Sequence, residues 1–546
     1  MAAYPPPTIL GVEPWTPTVN QEECLTALQE KMLTQRTVIN QTKTGGGKSG
    51  LACTLAYRTG MDLFPFGPNL GTWLKHAPRC GLRTVKDIDT PMLSPDEVWM
   101  YEGMTYRKAL CISKLTGQPK HGLAYKRVEM AGKRKVVTYE SSEKWIRMCN
   151  GRGLLISLDE GHLLKNKATL SFKVISALLR TAYLSGKCRI LISTATLLDT
   201  DEKILNLLRL LGIVTLPNLY IKPAGYPVRL QGMQELIDFC NLIDPVLTAR
   251  VVGRFRPLGK GTAPACVVAL YKEVIMHCIA VKSKVSLEDY GGHKLEMTNV
   301  FRAVSAEKHE RITQLLQEYK DAVCYDEATG KIDTTRWNLG RKKAMEPIIE
   351  SEKADLYVED ALSYLRDPTV PNGKAVLFFN FNVSIDKAIA AFEAAGFPTV
   401  KLTGAVKKKD RAAVVDSFNT DLTKRVIVCN LKVGSTVIDL HDIVGNAPRK
   451  EWISASASVI DEIQAAGRIY RIGLKSPAKG CVLFVTGIEI EEKIRNALNY
   501  KSGVVASVTP DGGADLVLPH LLANEYVGEG DDTDEENEED EDEDLE

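Results

Sequence analysis

Thr42–Ser49 reads TKTGGGKS, behind the apolar run Val38–Ile39 and ahead of a stretch with helical spacing. The chemistry it suits is phosphate binding. Gly45, Gly46 and Gly47 allow a sharp turn, so backbone N–H groups from Thr44 onward can surround oxyanions, with a helix N-terminus behind them to favour negative charge. Lys48 would reach the β- and γ-phosphates of a nucleoside triphosphate, and the Ser49 hydroxyl would face Mg2+. Farther on, Asp159-Glu160-Gly161-His162 follows the apolar run Leu154–Leu158. Asp159, at a strand end, is placed to hold a phosphate-bound Mg2+, and Glu160 beside it to orient and deprotonate water. Ser193-Thr194-Ala195-Thr196 offers hydroxyls that would link such a site to a neighbouring domain. Gln464–Gly473 reads QAAGRIYRIG, with Arg468 and Arg471 three apart, the spacing of one helix face. Two guanidiniums aimed at a γ-phosphate make an arginine finger, and the small apolar residues between predict a helix packed at an interface.

These residues need elements to hold them. Val38–Asn40, Leu154–Leu158 and Ile190–Ser193 read as buried parallel strands, each leading into a polar or glycine-containing loop, where open α/β sheets bind ligands. About Lys374–Ile494 repeats the style, with Ala375–Phe379, Arg425–Cys429 and Cys481–Val485 as strands and Ile385–Ala395 as an amphipathic helix. The stretch 217–371 between them carries no motif. Within it Arg302–Ala322 reads as a long charged helix, 330–343 is basic around Trp337, and Asp367–Lys374 reads as a loop.

A chain of 546 residues exceeds what one core supports, so more than one domain is expected. No apolar run approaches the roughly 18 residues of a membrane span, and Met1–Leu10 lacks a secretory pattern. The 12 cysteines contain no Cys-x-x-Cys pair and the 8 histidines are scattered, which predicts reduced thiols, no structural zinc and an intracellular protein, of nucleus or cytoplasm. The net charge of zero hides an asymmetry: Glu525–Glu546 holds 15 acidic residues and no basic one, leaving 54 acidic residues against 69 Lys and Arg before it. A basic body suits a polyanion. Within Lys120–Lys135, the group Lys126, Arg127, Lys133, Arg134 and Lys135 is either a nucleic-acid backbone contact or a solvated hairpin. The acidic tail is either a solvated, disordered segment or a nucleic-acid mimic that competes for the basic groove.

In this order the motifs resemble those of the superfamily-two helicase-like ATPases. Thr42–Ser49 is similar to motif I, Asp159–His162 to motif II of the DExH variety, Ser193–Thr196 to motif III, and Gln464–Gly473 to motif VI in full. Finer features resemble the Swi/Snf-type branch: Leu163-Leu164-Lys165-Asn166 after motif II, Asp201–Gly212 after motif III, Gly404, Arg411, Phe418 and Asn419 within Leu402–Asn419, and Ile488–Lys501 as a C-terminal brace. Gln21 stands where such proteins carry an adenine-reading glutamine. Gly434 and Asp439 belong to the segment similar to motif V, in which Val437 replaces a glycine, so that loop must be shaped differently. Gly71–Leu74 stands in for motif Ia with little of its pattern.

The resemblance implies an α/β fold of two tandem RecA-like parallel-sheet domains with a cleft between them, a helical insertion and a disordered acidic tail. The expected boundaries are 1–216, an insertion or linker at 217–371, 372–503, and an extension at 504–546. It implies ATP and Mg2+ as cofactors. Gln21, Thr44, Gly45, Gly46, Gly47, Lys48, Ser49, Gly434 and Asp439 would bind nucleotide, and Ser49 and Asp159 the metal. Lys48, Asp159, Glu160, Gln464, Arg468 and Arg471 would act in hydrolysis. The leading expectation is a translocase on double-stranded DNA, against a strand-separating DExH helicase on DNA or RNA. A non-catalytic binding module on a decayed motor is a third, disfavoured by the intact acidic and basic pairs. Protein partners would use 217–371, and no membrane is implied. The compact size and divergent linkers suit a viral or mobile-element protein, which would admit a virion location.

Overall fold

Two seven-stranded sheets divide the chain. The computed structural model describes residues 11–42, 46–68, 70–106, 108–109, 122–131, 134–164, 166, 169–194, 206–207, 210, 230–259, 262–282, 287–321, 339–407, 410–434, 438–456, 458–508 and 523–527. The first sheet takes β1 (Thr37–Asn40), β2 (Asp62–Phe66), β3 (Arg83–Val85), β4 (Trp99–Tyr101), β7 (Leu154–Asp159), β8 (Cys188–Ser193) and β9 (Ala280–Val281), in the order β3-β4-β2-β7-β8-β1-β9. Its strand pairs are all parallel. A separate antiparallel hairpin is formed by β5 (Ala124–Ala131) and β6 (Arg134–Ser141).

Burial on both faces explains why these strands read as unbroken apolar runs. Leu154, Ile156, Leu158, Ile190 and Ile192 face a core that includes Trp145 and Phe172. Leu155, Leu191 and Val38 face the opposite core, formed with α1 (Val19–Thr34), α2 (Lys48–Thr59) and α3 (Gly71–Arg79) through Leu25, Leu51, Leu55 and Trp73. Because the strands are parallel, the segments that leave β1, β7 and β8 emerge on one rim. Thr194 N–H donates to Asn40 O at 3.0 Å, which joins two of those exits.

The second sheet takes β10 (Glu296–Arg302), β11 (Lys374–Phe379), β12 (Thr399–Leu402), β13 (Val426–Asn430), β14 (Arg449–Ser454), β15 (Ala478–Val485) and β16 (Ala523–Val527), in the order β12-β13-β11-β14-β15-β10-β16, again parallel. Val376, Phe378 and Ile453 face one core, and Leu377, Phe379 and Trp452 the other. The two tandem RecA-like units are thus built alike.

The boundaries differ from expectation. The described residues of 217–371 do not form a separate insertion. Helices Leu230–Ile243, Pro245–Gly253 and Ala263–Leu270 bury Met233, Leu236, Val251 and Val267 against the first sheet, and β9 pairs with β1. From β10 onward the chain belongs to the second sheet, with helices Ala306–Asp321 and Leu339–Arg366 packed on it through Ile312, Ile349 and Tyr357. Arg302 therefore ends a strand, and the charged helix starts at Ala306. The extension expected from 504 also contributes to this unit, through helix Glu489–Val508 and edge strand β16. The acidic tail beyond Val527 lies outside the described residues, as does the basic stretch around Trp337. Among the described residues no helix is long and apolar enough to cross a membrane.

Candidate functional site

The glycine-rich loop starts where β1 ends. Asn40 Oδ1 accepts from Thr42 N–H at 3.0 Å, turning the chain. Lys43, Thr44 and Gly45 lie outside the described residues, so the contacts expected of Thr44 and Gly45 are not on view. Gly47 caps α2 in the left-handed region, φ 81°, with no side-chain cap. The first-turn N–H groups there form the electropositive end that an anion favours. Ser49 lies in that first turn. Lys48 Nζ donates to Thr42 O at 3.1 Å, and Gln21 Nε2 to Gly46 O at 3.1 Å. Gln21 Oε1 accepts from Thr18 N–H at 3.0 Å. A Cβ on Gly47 would stand 2.6 Å from Gln21 Nε2, so the glycine lets Gln21 reach the loop. Nε2 carries two hydrogens, and its bond to Gly46 leaves capacity for a base.

Asp159 and Glu160 leave β7 on the same rim. Glu160 has φ 54°, a left-handed conformation that is costly outside glycine and that turns its carboxylate away from the strand line. Asp159 is held from two sides: Trp73 Nε1 donates to its Oδ2 at 3.4 Å, and Tyr106 OH to its backbone O at 2.5 Å. Glu160 Oε2 and Thr194 Oγ1 each lie 3.3 Å from His162 Nδ1, which ties the exits of β7 and β8 together. Ala195 and Thr196 lie outside the described residues. Burial and the Glu160 charge push the Asp159 carboxyl up to about 7. Burial acts on Glu160 as well, but the His162 bond and the charges of His162, Lys48 and Arg468 outweigh it and hold that carboxyl at about 2. Burial lowers the Lys48 ammonium from its usual range; Glu160 and Asp159 pull it back up, while Arg471 and Arg468 press it down.

The second unit reaches this cluster directly. Gln464 Nε2 donates to Glu160 Oε2 at 3.1 Å across 304 residues of sequence. Gln464 sits on helix Val459–Ala466, whose N-cap Ser458 accepts from Asp461 N–H. The arginines are not on a helix, contrary to the spacing argument. Gly467 is the C-cap, Arg468 N–H closes a tight turn onto Ala465 O at 2.8 Å, and Arg468 and Arg471 follow on turns. Each is then fixed separately. Arg468, 3% exposed, donates from Nη1 to Ile438 O at 3.3 Å, and its own O accepts from Leu440 N–H at 2.9 Å. Arg471 pairs with Asp439 at 2.8 Å. Burial and the Arg471 charge bring the Arg468 guanidinium down to about 9.

Gly434 ends the short helix Leu431–Gly434, where a Cβ would strike the Phe378 ring. Its glycine thus has a packing reason, separate from the nucleotide contact expected of it. Ser435–Val437 lie outside the described residues. On the hairpin, Lys126 and Arg127 are exposed, with Arg127 paired to Glu140 at 3.1 Å. Lys133 lies outside the described residues, and of the side chains of Arg134 and Lys135 nothing is described.

The sequence reading missed Trp73, Tyr106 and Trp15. Trp73 falls inside Gly71–Leu74, where the weak motif Ia pattern gave the one available signal. Trp15 packs so close to Gly50 that a Cβ there would lie 2.6 Å from its ring; nothing in its spacing marked it. For Mg2+, Ser49 and Asp159 offer one hydroxyl and one carboxylate. Among the described residues no cluster of three His, Cys, Asp or Glu forms a closed cage. That donor set fits a metal completed by phosphate oxygens and water.

Residues 358–473 match the helicase conserved C-terminal domain. The chain is similar to a putative ATP-dependent RNA helicase of Acanthamoeba polyphaga mimivirus, 25% identical over 37% of this chain and 34% of that protein. It is also similar to the DNA repair and recombination protein RAD54-like of Danio rerio, 22% identical over 69% of this chain and 51% of that protein. The chain thus spans between a third and about half the length of these two curated relatives. The SWI2/SNF2 ATPase core domain of Sulfolobus solfataricus aligns over 91% of this chain and 92% of that one, at 14% identity and a TM-score of 0.30.

Proposed function

We propose that this chain, a helicase-like protein of superfamily two and of the Swi/Snf type, hydrolyses ATP in the cleft between its two units and uses the cycle to translocate on or remodel double-stranded DNA. The observation that carries the reading is the Gln464–Glu160 bond, which brings the arginine segment of the second unit to the hydrolytic carboxylate of the first. The phosphate loop binds the triphosphate through α2's N-terminus and Lys48, and Gln21 contacts the base. Bound Mg2+, held by Ser49 and Asp159, would screen phosphate charge. Glu160, ionised throughout the neutral range, orients the attacking water and accepts its proton. Arg468 and Arg471 neutralise charge on the γ-phosphate when the cleft closes, so hydrolysis favours reopening. Nucleic acid lies across both units on phosphate contacts, with Lys126 and Arg127 as candidates, and its binding is salt-sensitive. Buried free thiols suit an intracellular location.

Likeness to a DNA repair and recombination protein favours DNA. Likeness to a viral RNA helicase favours the second reading, a strand-separating helicase acting on RNA or DNA. ATP hydrolysis by the wild type and by Glu160→Gln, without nucleic acid and then with duplex DNA, single-stranded DNA or RNA, tests both. The proposal expects stimulation by duplex DNA and a fall of about 10²–10⁴-fold in Glu160→Gln. Stimulation by single strands together with opening of a forked duplex would move the reading to the helicase. No hydrolysis under any condition would sink the enzyme.

A further inference from the structure

The first sheet ends at β9, Val281, and the second begins at β10, Glu296. The chain between them passes from one unit to the other, and its part from Leu287 onward is fastened to the arginine segment. Glu288–Tyr290 forms one turn of 3-10 helix, closed by Gly291 at φ 63°. The Tyr290 ring, 1% exposed, stacks on Tyr470 with centroids 4.1 Å apart and planes 5° from parallel. Tyr470 OH donates to His293 O at 3.0 Å, and Gly473 N–H to Asp289 O at 2.9 Å. A Cβ on Gly291 would strike Leu474 O. Two side-chain contacts and two backbone contacts therefore bind 289–293 to 470–474.

Tyr470 stands between Arg468 and Arg471 in the chain. A shift of the Tyr470 ring bears on the turn that carries both guanidiniums, which is bonded to its own unit through Arg468 to Ile438 and Leu440. A stacked aromatic pair of this kind contributes about 0.5–1.5 kcal/mol beyond the area it buries, enough to bias a turn between two positions by up to roughly tenfold.

We propose that the Tyr290–Tyr470 stack is a positioning device through which the segment 287–293 sets the Arg468 and Arg471 turn for hydrolysis. The inference rests on the proposed role of those arginines in ATP hydrolysis. Tyr290→Ala removes the stack; Tyr290→Phe keeps the ring. The expected result is a kcat about tenfold lower in Tyr290→Ala with the KM for ATP within about twofold of wild type, and a return to near wild-type kcat in Tyr290→Phe. Combined with Arg471→Ala, the Tyr290→Ala change should cost little more, because both act on one device; independent defects would multiply. Gly291→Ala, which pushes the segment off Leu474 without touching an aromatic ring, should lower kcat in the same direction. An active wild type with unaltered kcat in Tyr290→Ala and Gly291→Ala overturns the link alone, as does a fully multiplicative loss with Arg471→Ala. A loss in Tyr290→Ala that Tyr290→Phe does not restore also overturns it. A wild type that hydrolyses nothing overturns the functional reading and the link with it.

Discussion

Two glutamates show how the cleft differs from the interior of the second unit. Glu160 stands where the units meet, 22% exposed, with His162, Gln464, Lys48 and Arg468 around it, and its carboxyl is held at about 2. Glu451 lies on β14, fully buried, and neither of its oxygens has a hydrogen-bond partner among the described residues. Burial alone pushes its carboxyl well above the usual range. Its register neighbours are Val376 and Gly480, and a Cβ on Gly480 would stand 2.6 Å from Glu451 Cγ, so the strand has made room for the side chain without giving it a partner. Glu451 is wholly removed from water and Glu160 largely so. Charge compensation is gathered at the cleft, which is what a site built around phosphates and an ionised base requires, and it is absent in the sheet, where the acid must stay protonated.

The comparison can be broken in three ways. The largest effect should come from Gln464→Ala, which removes the bond between units at Glu160. Loss of a hydrogen bond to a charged group costs about 1.5–3 kcal/mol, so hydrolysis should fall by roughly 10–100-fold while nucleotide binding to the first unit persists. Unchanged turnover would make the contact incidental. Trp73→Phe deletes the indole donor to Asp159 and should weaken the apparent affinity for Mg2+ by several-fold, read from the Mg2+ dependence of nucleotide binding. An unaltered metal dependence would leave Trp73 as packing. The smallest effect concerns Glu451. An acid whose folded form binds its proton more tightly than the unfolded chain contributes stability below about pH 4.5, and that contribution is lost as pH rises. Glu451→Gln fixes the neutral form, so its Tm should exceed the wild type's at pH 8, by about 2–4 °C for each kcal/mol gained in a unit of this size, and the advantage should vanish towards pH 4.5. A Tm difference constant with pH would contradict this.

Strands buried on both faces leave a signal that periodicity can read, so β1, β7, β8, β11, β13 and β15 were legible, and with them the loops at their ends. β10 was not, because EMTNVFR alternates and sits beside a charged helix; its place in the second sheet comes from pairing with β15, distant in sequence. Lys48, Asp159 and Glu160 were legible for the same reason as the strands they follow. The arginines were legible as residues and misread as a helix, since Gly467 ends that helix one position before Arg468. Trp73, Tyr106 and Tyr290 act through contacts between segments far apart in the chain, and no local spacing encodes those.

The central claim is that the hydrolytic site is completed by the second unit. Single-turnover ATP hydrolysis by Arg468→Ala, with nucleotide binding measured on the same sample and duplex DNA present, tests it most directly. The account predicts ATP binding within a few-fold of wild type and hydrolysis slowed by about 10³-fold or more. Hydrolysis at the wild-type rate in a folded Arg468→Ala protein would contradict it.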